Sequence, residues 1–580
     1  MTRDPVTETI EVDLLVIGSG AAGMTAALTA VCIGMHTLVL EKSDYVGGTT
    51  AHSEGMIWVP CSQQAKACGV EDSQASAVEY LAGVAGNHLD RERVEAYLYA
   101  APTMLAFVEA NSDVAYALAS NSIDYYPEKS GATEGARSLV LGKFDGRKLG
   151  SDFFRLRSPL KSTAVLGTMF IAGADLPHFY KVAKSPSSAL VVAKLVARYV
   201  DDRLSGWGRS TLLGNGEGLI AALWHAFSKR GGQLRTSARV TKLVSGDKGI
   251  AGAVFVQDGR EVRVLARNGV ILATGGFSAN SELRARFDAK GSIKDSSAGL
   301  TAETATGDGM VMAEEIGASI NQDLAQPFAW APASWVPHKG SAFPHFLERA
   351  KPGVVIVDGD GRRFANEAMI YHDLVPSIRT AILQTGGAGH VWIIADHKAQ
   401  RRYGLGAAPP SPATIAAEIR SGYLVKANTI SALATKLGVD PLVLAETIER
   451  FNCDAISGED RDFGRGVSKL DRAYGDTSHA PNPCLGPLVT PPFYAVSLRP
   501  GDLGSLVGLR TNADACVLDT QGQVIPGLYA AGLDAASALG GYYPAGGVTV
   551  GAAMTFGWIA AKSALGRGET TRVAKERQHD

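Results

Sequence analysis

The stretch DLLVIGSGAAGMTAALTA (residues 13–30), followed by HTLVLEKSDYVGG (residues 36–48), decides the fold. Four apolar residues, Leu14 to Ile17, read as a buried strand that runs into Gly18-Ser19-Gly20-Ala21-Ala22-Gly23. An apolar helix follows, and Thr37 to Leu40 form a second strand ending on Glu41. In such a βαβ unit Gly18 permits the tight turn, Gly20 lets backbone approach a pyrophosphate, and Gly23 lets helix pack closely on strand. The helix start offers free N–H groups and the positive end of its dipole to phosphates. Glu41 stands 23 residues after Gly18, where an acid binds ribose hydroxyls. The chain is therefore expected to bind a dinucleotide through a Rossmann-like α/β domain.

The next residues select the dinucleotide. Glu41-Lys42, a short spacer and Gly47-Gly48-Thr49-Thr50 form the acid-Lys…GG[ST] pattern of two-dinucleotide-fold flavoproteins, whose glycines and hydroxyls run along the pyrophosphate and under the flavin ring. Ala238 to Val244 opens a meander with period-2 alternation and an Asp258-Gly259 turn, closing at Ala273-Thr274-Gly275-Gly276. Ile525 to Asp534 is a strand leading to a second glycine-limited approach at Gly532. These segments predict non-covalent FAD. Its contacts are expected from Gly18, Gly20, Ala22, Gly23, Glu41, Lys42, Gly47, Gly48, Thr49, Thr50, Val240, Ala273, Gly275, Gly532, Asp534 and Val548.

At 580 residues the chain exceeds the usual ceiling for one core, so at least two domains are expected. A net charge of −2 gives no reason to expect nucleic acid. The six cysteines show no CxxC or metal spacing, so no metal site is expected and the thiols read as reduced, in a cytoplasmic protein. The polar N-terminus lacks a signal-peptide core, and no run of about 20 apolar residues suggests a bilayer span. The fingerprint at the start and the Gly532 strand at the end predict a discontinuous FAD-binding domain, residues 1–325 and 490–580. An α+β catalytic domain, residues 326–489, is inserted between the two parts, with helices expected over Thr429 to Leu437 and Pro441 to Phe451.

Several separate blocks resemble the 3-ketosteroid Δ1-dehydrogenases, members of the fumarate reductase-like flavoprotein group. These are VIGSGAAG, GGTTAHSEGMIWVP, Asp124-Tyr125-Tyr126-Pro127, RRFANEAMIYHD and the C-terminal GGYYPAGGVTVGAAMTFGWIAA. The resemblance implies a 3-ketosteroid substrate, a C1–C2 desaturation and an external, quinone-like electron acceptor. By matched position it implies that Tyr543 and the Gly547 N–H bind the C3 carbonyl, that Tyr371 removes the C2 proton, and that Tyr125 joins its hydrogen-bond network. Tyr126 exchanges roles with Tyr125 under a one-residue slip. Two donors on the ketone oxygen stabilise an enolate in a dry pocket. A phenol of pKa about 10 is a poor base, and burial makes it poorer; a tyrosine that hydrogen-bonds the phenolate works against that. Alternatives on the same fold are a ketosteroid Δ4-dehydrogenase, a fumarate reductase-like ene-reductase, or a flavin-binding module without turnover.

Two readings stay open. Phe328, Trp330, Trp335, Phe343 and Phe346 line a steroid pocket or form domain-interface core. Residues 155–205 look like a helical insertion, in which Ser188 to Val200 has apolar residues at helical spacing and Lys194 and Arg198 on another face. Either residues 158–200 touch a membrane surface peripherally, or they pack on the FAD domain or an oligomer contact.

Overall fold

The computed structural model describes residues 8–182, 185–288, 298–385, 390–410 and 415–576. The first seven residues of the polar N-terminus, residues 183–184 of the 155–205 segment and residues 577–580 of the FAD-binding domain lie outside them.

Two sheets place the site. The first has the strand order 516–518, 524–530, 270–272, 14–17, 37–40, 233–235. Its inner strands are parallel and buried on both faces, which is why Leu14–Ile17 and Thr37–Leu40 are continuous apolar runs. Strands from the beginning, middle and end of the chain meet in this sheet. The meander of strands Arg239–Gly246, Gly249–Gln257 and Arg260–Ala266 hydrogen-bonds as an antiparallel sheet, and Glu8–Val12 adds to it in parallel. Asp258 and Gly259 both take positive φ, the conformation a two-residue hairpin turn needs.

The second sheet has the order 341–344, 328–336, 493–505, 391–395, 354–357, and strand Val425–Ala427 also pairs with Phe493–Ser505. The strand at its centre, Phe493–Ser505, lies beyond residue 489. Strand pairing in this sheet therefore continues past residue 489. Helices Ile430–Leu437 and Pro441–Ser457 cover one face, capped by the Thr429 and Asp440 side chains.

Helix Val548–Glu576 contains, over Val548–Gly566, a stretch long and apolar enough to cross a membrane by length and composition, half of it buried. It serves as a core helix. A Cβ at Gly557 would stand 2.4 Å from the Ala22 carbonyl, so that glycine lets the helix press on Ala21–Cys32.

Residues 155–205 contain helix Pro186–Leu204, in which only Ser188 and Asp202 are buried. Leu190, Val200 and Leu204 are exposed, as are nearby Val165, Leu166, Leu176 and Val182. Arg198 does not face outward as a free cation; it pairs with Asp145 at 2.7 Å and reaches Asp202.

Candidate active site

At the carboxyl ends of the first sheet the strand–turn–helix walls an open cleft. Among the expected cofactor residues, Gly18, Gly20, Ala22, Glu41, Lys42, Gly48, Thr49, Thr50, Val240, Ala273, Gly275 and Gly532 line it. Gly18 has φ +106°, and a Cβ there would lie 2.1 Å from the Ala273 carbonyl oxygen. At Gly20 a Cβ would meet nothing closer than the Thr50 hydroxyl at 3.5 Å, so that stretch of backbone is bare toward the cavity. The Glu41 carboxylate accepts from the Ser19 amide (3.1 Å), the Ser19 hydroxyl (2.6 Å) and the Ser43 amide (2.9 Å). It is thereby fixed at the end of its strand. A bare glycine turn, a helix N-terminus and a fixed acid fit the adenosine and pyrophosphate of FAD.

Four expected cofactor residues stand behind that wall. Gly23 packs so that a Cβ would be 2.0 Å from the Gly18 carbonyl oxygen, and Gly47 packs on Ala51 and Ile220. Asp534 is fully buried and accepts from the Thr274 amide and hydroxyl and the Gly276 amide, so it shapes the glycine loop from below. Val548 is buried at the head of its helix. Conversely Ala302, Thr304, Ala305, Asp308 and Met312 line the cavity unforeseen. Their signal was the Thr306-Gly307-Asp308-Gly309 run opening helix Asp308–Glu314, and Asp308 takes up Lys42 at 3.0 Å.

The expected catalytic tyrosines come from three distant segments and meet. The Tyr125 and Tyr371 hydroxyls are 3.1 Å apart. Ring centroids are 5.6 Å apart for Tyr125–Tyr371, 5.7 Å for Tyr371–Tyr543 and 6.2 Å for Tyr125–Tyr543. All three are buried. Local structure fixes each one. Asp124 accepts from the Trp58 indole, the Thr133 amide and Arg137, which sets the turn carrying Tyr125. The Tyr125 amide and the Tyr80 hydroxyl both donate to the Pro544 carbonyl, tying that turn to the Tyr543 segment. Tyr371 is the first residue of helix Tyr371–Gln384. The next residue, His372, takes the Trp330 amide on Nδ1 and contacts the Gly541 carbonyl through Nε2. Burial lowers its pKa to about 4, so it stays neutral and pins the helix to the C-terminal block. Gly547 has φ +88° and stands just before helix Val548–Glu576, and a Cβ there would lie 2.6 Å from the Ile57 amide nitrogen.

The Tyr126 hydroxyl donates to Asp373 at 3.0 Å, whereas that of Tyr125 meets Tyr371. Burial raises that carboxyl to about 6. Of the aromatic group, Phe328 and Trp330 are core, Trp335 is half exposed, and Phe343 packs against the second sheet's core. Phe346 alone reaches the tyrosines, 4.9 Å from the Tyr371 ring. Tyr474, the last residue of helix Lys469–Tyr474, was not anticipated; its ring is 6.4 Å from that of Tyr125, edge-on. It stands alone among charged residues in the sequence, with no pattern to mark it.

Burial pushes Tyr371 and Tyr125 well above the ordinary phenol range. The polar contact between them raises Tyr371 and lowers Tyr125; the contact with Tyr474 raises Tyr125 and lowers Tyr474. Tyr474 ends at about 12, burial raising it while Tyr125 and Arg349 bring it down. Either hydroxyl can donate in the 3.1 Å contact, so the geometry allows Tyr125 to hydrogen-bond a Tyr371 phenolate.

Residues 13–550 match the FAD binding domain family. The chain is 36% identical over 564 residues to the 3-oxosteroid 1-dehydrogenase of Mycobacterium tuberculosis, covering 95% of this chain and 98% of that one. It is 35% identical over 581 residues to the 4-oxocyclohex-2-ene-1-carboxylate 5-dehydrogenase of Sinomonas cyclohexanicum, covering 99% and 96%. Among solved structures, the 3-ketosteroid Δ1-dehydrogenase of Sterolibacterium denitrificans with 1,4-androstadiene-3,17-dione superposes with a TM-score of 0.88 at 34% identity, covering 96% of this chain and all of that one. The chain belongs to the FAD-binding flavoprotein family that contains the 3-oxosteroid 1-dehydrogenases.

Proposed function

We propose that this chain is an FAD-dependent 3-ketosteroid Δ1-dehydrogenase. The observation that carries the reading is the meeting of Tyr371, Tyr125 and Tyr543 in one buried cluster, from three segments, beside the Gly547 turn. FAD, when bound, supplies the hydride acceptor for C1. The chain does the rest. Tyr543 and the Gly547 N–H hold the C3 carbonyl oxygen, where enolate charge develops, and Tyr371 takes the C2 proton. An external, quinone-like acceptor closes the cycle.

A relative of nearly equal identity acts on a cyclohexene carboxylate, so a small carboxylated ring is the second reading. Anaerobic mixing of the FAD-loaded protein with 4-androstene-3,17-dione is expected to bleach the flavin and yield the 1,4-diene. Bleaching by a saturated 5α-3-ketone alone would mark a Δ4-dehydrogenase; by 4-oxocyclohex-2-ene-1-carboxylate alone, the second reading. No bleaching by any of them would leave a flavin-binding protein without turnover.

The exposed leucines of helix Pro186–Leu204 support a peripheral membrane contact of an otherwise cytoplasmic protein, as do six free thiols for the compartment. Inserting a leucine into an interface is worth about 1.5–3 kcal/mol. The double substitution Leu190→Glu and Leu204→Glu is therefore expected to release the protein from sedimented vesicles while FAD content holds. Unchanged sedimentation would assign the helix to packing or an oligomer contact.

A further inference from the structure

The base must stand at C2 while the donors stand at the oxygen on C3, two positions separated by one carbon–carbon bond. A misplacement of about 1 Å between such groups costs about 10²-fold in rate. The three tyrosines come from segments far apart in the chain, so something outside their own rings must set these distances.

The two residues after Tyr371 do so. Consecutive side chains of a helix point about 100° apart, so at the start of helix Tyr371–Gln384 residues 371, 372 and 373 fan out in three directions. Tyr371 meets the cluster, its hydroxyl 3.1 Å from that of Tyr125. His372 is buried, and its ring lies 6.0 Å from that of Tyr543. Its Nδ1 is 3.2 Å from the Trp330 amide nitrogen, and its Nε2 is 3.2 Å from the Gly541 carbonyl oxygen. An amide N–H only donates and a carbonyl only accepts, so Nδ1 is the bare nitrogen and Nε2 carries the proton. Both ring nitrogens are thereby occupied, and His372 holds position rather than taking a proton from substrate.

The partner of that Nε2 stands two residues before Tyr543. Gly541 has φ +85°, and a Cβ there would lie 2.7 Å from the Gln326 backbone, so the loop is pressed against the chain entering strand Phe328–Val336. The Ala325 amide donates to the Gly540 carbonyl at 2.9 Å and extends that contact. Asp373 reaches the other way. The Tyr126 hydroxyl donates to its carboxylate, 3.1 and 3.0 Å from the two oxygens. Tyr126 follows Tyr125, and its amide donates to the Tyr80 hydroxyl, which itself donates to the Pro544 carbonyl. The Tyr125 turn, the Tyr371 helix and the Tyr543 loop thus close a ring of contacts, with His372 and Asp373 as two of its links.

We propose that His372 and Asp373 are positioning residues that hold the base and the ketone donors in one frame. His372 fixes the Tyr371 helix to the loop carrying Tyr543 through the Gly541 carbonyl. Asp373 fixes the same helix to the Tyr125 turn through the Tyr126 hydroxyl.

This rests on Tyr371 as the base and Tyr543 as a donor; a Tyr371→Phe protein that still turns over removes that reading whatever His372 does. The test compares wild-type, His372→Asn, His372→Gln and Tyr126→Phe holoenzymes with FAD content matched. Two quantities are read: the single-turnover rate of flavin bleaching by 4-androstene-3,17-dione, and binding of 1,4-androstadiene-3,17-dione to the oxidised flavoprotein. Asn keeps an acceptor for the Trp330 amide and falls short of Gly541, whereas Gln reaches Gly541 with a donor. His372→Asn should slow bleaching about 10–10²-fold and weaken binding about 2–10-fold, the worth of one hydrogen bond. His372→Gln should recover most of both. Tyr126→Phe should slow bleaching about 10–10²-fold with binding unchanged, because it disturbs the base and not the donors. An Asn protein as fast as the Gln protein would leave His372 a partner for the Trp330 amide alone and overturn the proposal. If neither His372 variant holds FAD, Tyr126→Phe decides: a lower rate with unchanged binding supports the frame, and any other result overturns it.

Discussion

Tyr371→Phe is expected to keep FAD bound and to slow flavin bleaching by a 3-ketosteroid about 10²–10⁴-fold, the usual worth of a positioned base. The substitution removes one oxygen and keeps the ring. The ring is what packs: it meets Phe346 at 4.9 Å and the Tyr125 and Tyr543 rings edge-on. The helix behind it is held by His372 and its contacts with Trp330 and Gly541, none of which involves the Tyr371 hydroxyl. Stability and flavin content should therefore report on folding, and the rate on chemistry. Near-normal turnover would place the base elsewhere.

Tyr543→Phe should cost about 10²–10³-fold in the same rate, because it deletes one of two donors aimed at the developing enolate oxygen. The Tyr543 hydroxyl has a weak local partner, the Thr549 hydroxyl at 3.3 Å, which a ketone oxygen can displace. Loss of that partner leaves Thr549 near the start of its helix with little structural penalty. The signature distinguishing this variant from Tyr371→Phe is the substrate: binding of the ketone weakens along with the rate, since the donor touches the ground-state carbonyl too. An unchanged rate would mean that the carbonyl is held by other groups.

Much of this was legible in the sequence, and the reason is local. Gly18, Gly20 and Gly23 act through backbone geometry within one strand–turn–helix, so their spacing carries the information. The meander and its Asp258-Gly259 turn are likewise short-range patterns. Tyr125, Tyr371 and Tyr543 were legible only as parts of resembling blocks; nothing in their own surroundings says that three segments converge. Tyr474 was invisible for the same reason, because a ring contact between distant segments has no periodicity. The pairing of Phe493–Ser505 with strands before residue 489 was hidden for another reason: it is long-range. Phe493–Ser505 lies between strands Phe328–Val336 and Val391–Ala395 in the second sheet, and no local pattern marks that partnership. Arg198 looked like a free basic residue because helical spacing shows which face it occupies and not that Asp145 waits there.

The central claim is that the chain stabilises charge on the oxygen at C3. The anaerobic mixing experiment tests it most directly when 4-androstene-3,17-dione is run beside its 3β-hydroxy counterpart, whose oxygen cannot become an enolate. Rapid bleaching by the ketone with none by the alcohol is the predicted result; equal bleaching by both would contradict it.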